Sequence, residues 1–170
     1  MTEPLPASAP GARKTSVLFV CLGNICRSPA AEGCFLRLIA REGLLDSFTV
    51  DSAGTGDWHV GKPADQRMRD AAARRGIVLP SRARQIRPSD LDTFDHILTM
   101  DPDNEAAVRQ LARGLRARAT IQPMVRFCRR SQPPEVPDPY FGGPEGFEHV
   151  LDLLEDASEG LLESLRPPRG

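Results

Sequence analysis

Two hydrophobic periods alternate along the chain. Short apolar runs of β type, at Val17-Leu18-Phe19-Val20, Phe48 to Ala53 and Phe94 to Met100, are separated by stretches where apolar residues recur every three or four positions. The spacing predicts strands over 16–20, 48–53 and 94–100, with a weaker fourth over 119–124. A helix after Ser28 puts Ala31, Cys34, Phe35, Leu38 and Ile39 on one face, and Gly43 stops it. Ser28 is its expected N-cap and Pro29 its first residue. A second helix runs from Pro63 through Met68, Ala71 and Ala72 to Gly76. Asp101-Pro102, a cap and a first-turn proline, opens a third that carries Val108 and Leu111 and breaks at Gly114. The last presents Phe147, Val150, Leu151, Leu154, Ala157 and Leu161 on one stripe. Strands alternating with helices argue for an α/β fold with a mainly parallel sheet. The proline-rich stretch from Cys128 to Gly146 is expected to be irregular, and loops this long in a compact domain are often functional.

Composition narrows the class. A chain of 170 residues with 26% charged and 40% hydrophobic positions fits one soluble domain, expected over residues 16–166. Its net charge of -1 offers no electrostatic case for a nucleic acid or a membrane surface. The arginines between Arg109 and Arg130 are interrupted by Pro, Gly and apolar residues and read as a solvated face. No apolar stretch reaches bilayer length, and the Pro- and Ala-rich start lacks the apolar centre of a signal peptide. Residues 1–15 and 167–170 are expected as flexible tails. Four cysteines without an export signal suggest free thiols in a reducing compartment, hence a cytoplasmic protein.

The chemistry concentrates in Cys21-Leu22-Gly23-Asn24-Ile25-Cys26-Arg27-Ser28-Pro29, between the end of the first strand and the start of the first helix. Such a loop turns backbone N–H groups inward, and the helix adds its positive dipole end, so an anion the size of phosphate suits it. Gly23 and Asn24 tolerate the left-handed conformations a tight cradle needs. Cysteines at helix N-termini and beside arginine are pushed toward thiolate, which makes Cys21 a candidate nucleophile. Arg27 can grip two phosphate oxygens in a fork, a geometry lysine cannot match. The Gly-Lys-Ser/Thr ending of a nucleotide-binding loop is missing, and no second close Cys/His pair completes a zinc site. From its neighbours alone, Asp138 in Pro137-Asp138-Pro139 is either a rigid surface turn or a carboxyl held stiffly over the cradle.

The run Val20 to Pro29 resembles the active-site signature of the low-molecular-weight protein tyrosine phosphatases. The resemblance continues through Asp51-Ser52-Ala53-Gly54-Thr55, Asp57-Trp58-His59-Val60-Gly61 and Arg84-Gln85-Ile86. It then passes Phe94 to Asp101 and reaches Asp138-Pro139-Tyr140-Phe141-Gly142. It implies a four-stranded parallel sheet with helices on both faces and the phosphate-binding loop after the first strand. It also implies hydrolysis of protein phosphotyrosine, and of small aryl phosphates, through a cysteinyl-phosphate, with no metal or other cofactor. The resemblance makes Cys21 the nucleophile, Arg27 the phosphate and transition-state binder, and Asp138 the general acid and base.

Leu22, Gly23, Asn24, Ile25, Cys26, Ser28, Trp58 and Tyr140 become substrate-binding residues by the same resemblance, with Ser52 supporting Asn24 from behind. A lone Trp is more often core, but the Gly-rich polar stretch around Trp58 favours exposure. Phe141 stands where many relatives carry a second tyrosine, which removes a phosphorylation site without touching the chemistry. Cys26 is either a small packing residue or a partner for a reversible, protective disulfide with Cys21. His59, His96 and His149 show no base-and-nucleophile arrangement. The rival enzyme, a thiol-dependent arsenate reductase, needs further cysteines that the 79–101 stretch lacks. A phosphate-binding module would need neither the nucleophile nor the acid.

Overall fold

Strand β1 (Thr15–Cys21) owes its central position to a run in which both faces are apolar, as a doubly covered parallel strand requires. The computed structural model describes residues 13–167; residues 1–12 and 168–170, which hold most of both expected tails, lie outside the described residues. Thr15, expected in the first tail, already belongs to β1. β1 pairs in parallel with β2 (Phe48–Gly54) on one side and β3 (His96–Thr99) on the other, and β3 pairs in parallel with β4 (Thr120–Pro123). The order is β2-β1-β3-β4, the four-stranded parallel sheet expected.

Alternation along β1 divides the core. Val17, Phe19 and Cys21 join one buried cluster with α1 (Arg27–Arg41), α2 (Gln66–Ala73) and α5 (Pro144–Leu165). Leu18 and Val20 join a second, which holds Leu91 of α3 (Asp90–Thr93) and Val108 of α4 (Pro102–Ala112). Helices thus cover both faces. Since β1 leads to one side through β2 and to the other through β3, its carboxyl end is the switch point at which open parallel sheets bind ligands. Among the described residues no helix is long and apolar enough to cross a membrane.

Several element boundaries differ from those expected. α1 begins at Arg27 with Cys26 as N-cap and no side-chain cap, and the Ser28 hydroxyl is engaged at the Cys21 sulfur instead. Pro63 does not start α2; it pairs with Arg82 in an isolated bridge, and Asp65 caps the helix by accepting the Arg67 N–H at 2.8 Å. β3 starts at His96 rather than Phe94, since the Phe94 N–H closes the short α3 onto the Asp90 carbonyl at 3.0 Å. Gly43 stops α1 as expected: it takes a left-handed φ of 70°, and Leu44 N–H returns to Ile39 O.

Candidate active site

The segment between β1 and α1 folds into a cradle because Asn24 accepts a left-handed φ of 57°, the one non-glycine residue to do so among the described residues. That conformation costs about 1 kcal/mol, and three hydrogen bonds of about 1 kcal/mol each offset it. The Asn24 amide nitrogen donates to Ser28 Oγ at 2.7 Å and Ser52 Oγ at 3.0 Å, and its oxygen accepts the Arg84 N–H at 3.0 Å. Gly54, at the end of β2, lets the loop close: a Cβ there would meet the Leu22 carbonyl oxygen at 2.8 Å.

Cys21 Sγ accepts the Asn24 N–H at 3.3 Å and lies 3.0 Å from Ser28 Oγ. The Ser28 hydroxyl also reaches the Ala53 carbonyl at 3.3 Å, so its single proton is shared between sulfur and that oxygen. Asn24 and Ser28, expected to touch substrate, are buried with their side chains bonded to each other behind the loop. Ser52 stands behind Asn24. It donates in turn to the buried carboxylate of Glu32, which also receives Ser81 Oγ, both at 2.7 Å. Burial pushes the Glu32 carboxyl up, against the lowering effect of those two hydroxyls.

Arg27 is buried, and its charge is satisfied from two other loops. Nη1 donates to Asp101 Oδ2 at 2.6 Å and to the Val136 carbonyl at 3.1 Å, and Nη2 lies 3.7 Å from Asp138 Oδ2. Burial opposes its charge, but Cys21, Asp101 and Asp138 together outweigh burial and raise its pKa. Asp101 serves twice, since its other oxygen caps α4 by accepting the Asn104 N–H at 2.8 Å. The Asp138 side chain is half-exposed, and its Oδ1 accepts the Tyr140 N–H at 3.0 Å.

These groups surround a cavity of about 170 Å³ lined by Cys21, Leu22, Gly23, Ile25, Cys26, Arg27, Trp58, His59, Asp138, Tyr140 and Phe141. It is smaller than the roughly 300–1,000 Å³ of sites for drug-sized ligands, so it fits one side chain of a larger molecule. Polar groups form the base, and apolar ones the mouth. Trp58 is 67% exposed and Phe141 93%, so both stand at the rim rather than in the core. Tyr140 meets Phe141 edge to face at 4.9 Å and His59 at 6.4 Å. Burial first, then Asp65, Cys21 and Asp138, push the Cys26 thiol far up.

Sequence reasoning missed four participants. Asp101 was recognised as a cap, but a carboxylate has two oxygens, and the second one holds Arg27. Glu32, four residues after Ser28 on the same helical face and next to apolar neighbours, was the available signal for the buried network. His59 and Phe141 line the cavity only because the 54–62 and 128–143 loops converge there.

A thiol and an arginine thus share one loop at the switch point of a parallel sheet, opposite an aspartate, the place where such α/β proteins bind ligands. The family model of the low molecular weight phosphotyrosine protein phosphatases matches residues 16–169, and the chain belongs to that family. The low molecular weight protein-tyrosine-phosphatase YfkJ of Bacillus subtilis is 42% identical over 89% of this chain and 96% of its own. The low molecular weight phosphotyrosine protein phosphatase of Sus scrofa is 37% identical over 89% and 96%. A crystal structure described as a product state mimic of a protein tyrosine phosphatase from Entamoeba histolytica superposes with a TM-score of 0.86. It is 41% identical and covers 92% of this chain and 99% of that one.

Proposed function

We propose that this protein tyrosine phosphatase works through a cysteinyl-phosphate, with Cys21 as nucleophile, Arg27 as phosphate clamp and Asp138 as proton carrier. The observation that carries the reading is Cys21 Sγ at the base of the cavity, bonded to the Asn24 N–H and Ser28 Oγ, with Arg27 and Asp138 on the same walls. Both sulfur contacts are groups that solvate an anion. A phosphate dianion takes the cradle N–H groups and the Arg27 fork. The sulfur then attacks phosphorus: the S–P bond forms, the P–O bond to the phenol breaks, and Asp138 gives its proton to the departing oxygen. In the second half Asp138 takes a proton from water, the water oxygen attacks phosphorus, and the S–P bond breaks to release inorganic phosphate. Ser28 steers its one proton to sulfur when the sulfur is anionic, and to Ala53 O when it is neutral.

The apolar mouth fits an aromatic ring, which favours phosphotyrosine of a protein substrate over the shorter phosphoserine. Cys26 shares the cavity wall and stays protonated, so a sulfenic acid on Cys21 would condense with it to a disulfide and water, halting further oxidation. Four free cysteines among the described residues fit a reducing, cytoplasmic setting. The decisive experiment is hydrolysis of an aryl phosphate in the presence of chelator, native against Cys21→Ser. Turnover is expected for the native chain only, with loss on the order of 10⁴-fold or more in the variant. Equal turnover in both would refute the covalent mechanism, and no turnover in the folded, reduced native chain would favour arsenate reduction or simple binding.

A further inference from the structure

Helix α2 lends no group to the reaction just described, yet its first turn is tied to both halves of the site. Asp65 N–H donates to the carbonyl of the cradle residue Ile25 at 2.8 Å. The Asp65 carboxylate holds the Arg67 guanidinium in a fork, with Nε 3.1 Å from Oδ1 and Nη2 3.0 Å from Oδ2. So held, Arg67 Cζ lies over the Tyr140 ring at 5.3 Å and over the Phe147 ring at 4.8 Å. Phe147 is buried in α5 and does not yield. Tyr140 in turn gives its backbone N–H to Asp138 Oδ1. Contacts therefore run unbroken from the cradle, through Asp65, Arg67 and Tyr140, to the carboxylate that moves the proton.

The segment bearing Asp138 is anchored on both sides of it. Before Asp138 it is fixed at Val136, whose N–H donates to Met100 O at 2.8 Å and whose carbonyl receives Arg27. After Asp138 the buried Pro139 holds the backbone, and the ring of Tyr140 is seated on Arg67, whereas Phe141 projects into solvent and Gly142 N–H bonds back to Pro139. Arg67 lines no part of the catalytic cavity and so touches nothing that reacts.

We propose that Arg67 is a positioning residue for proton transfer: clamped by Asp65 and seated against Tyr140 and Phe147, it sets where Asp138 stands over the cradle. The inference rests on Asp138 as the proton carrier. The task needs arginine, because one planar group serves a carboxylate fork at its edge and aromatic rings at its face, whereas an ammonium cannot do both.

The test is kcat/KM for phenyl phosphate, with a poor leaving group, and para-nitrophenyl phosphate, with a good one, in Arg67→Ala, Arg67→Lys, Asp138→Asn and the Arg67→Ala/Asp138→Asn pair. Arg67→Ala is expected to lower the phenyl phosphate value about tenfold while para-nitrophenyl phosphate stays within about threefold. Arg67→Lys should follow Arg67→Ala, and should carry the test alone if the alanine variant melts out. Arg67→Ala should add nothing to Asp138→Asn. Equal losses for both substrates, or a further tenfold loss on top of Asp138→Asn, would overturn the inference. If Asp138→Asn itself ignores the leaving group, the reading of Asp138 falls and takes this one with it. If Asp138→Asn discriminates and the Arg67 variants do not, only the role of Arg67 fails.

Discussion

The cradle at residues 21–28 and the loop at residues 128–143 face each other across one cavity, but they are held in opposite ways. In the cradle the Asn24 amide spends both of its ends on neighbours, and Ser28 and Ser52 pass the network on to buried Glu32. The opposite loop has little regular structure until α5, and its Asp138 carboxylate is half-exposed and meets Arg27 only at 3.7 Å. On the proposed mechanism, the nucleophile and anion site are thus built before substrate arrives, where pre-set dipoles need no reorganisation. Asp138 sits between buried Val136 and Pro139, but its own carboxylate is open to solvent. A change in the first region should therefore damage stability and rate together, and one in the second should damage rate alone.

The largest separation between the two is expected from Asp138→Asn. Its kcat/KM for phenyl phosphate should fall about a hundredfold, and that for para-nitrophenyl phosphate much less, at an unchanged denaturation midpoint. A fall in stability would show the loop to be as tightly integrated as the cradle. Asn24→Ala should lower stability as well as rate, costing about 2–3 kcal/mol in denaturant unfolding through three lost hydrogen bonds and a strained φ. Asn24→Gly, which keeps the left-handed backbone, should recover about 1 kcal/mol of that. If Ala and Gly unfold alike, the backbone strain at Asn24 contributes nothing.

A smaller effect should come from Cys26→Ser. After mild peroxide the native enzyme should regain activity with a thiol reductant, and the variant at least about threefold less, because its Cys21 passes to sulfinic acid. Equal recovery would remove Cys26 from that role. The subtlest prediction concerns Glu32. Its carboxyl is raised by burial, so the folded state holds the proton more tightly than the unfolded one. That contribution is complete below the ordinary glutamate value of about 4.3 and is lost as pH rises through the raised folded value. Glu32→Gln cannot ionise, so its stability should gain on the native chain as pH climbs toward neutrality. A constant difference in denaturation midpoint across that range would show Glu32 to be no more reluctant to ionise than a surface carboxylate.

Much of this was legible without coordinates, because it is written in local terms. Apolar runs and three-to-four spacing marked the strands and the long helices, since burial on one face imposes its period on the residues. The cradle is nearly contiguous, so Cys21, Asn24 and Arg27 could be read off a single stretch. Boundaries were less legible where a residue was engaged outside the element it was expected to start. Ser28 left its capping position for the sulfur, and Pro63 gave way to Asp65 as the start of α2.

What only the tertiary structure decided is which distant groups complete the site. Asp101 on Arg27, Glu32 behind Ser52, Arg67 beneath Tyr140 and His59 at the mouth come from four separate segments. No local spacing encodes such meetings, because they depend on how the parallel sheet stacks its carboxyl ends and on which charges burial leaves in need of partners. The chain's own order determined the Cys21–Arg27 loop and the period of the core. The meeting of that loop with Asp138, more than a hundred residues away, was decided by packing.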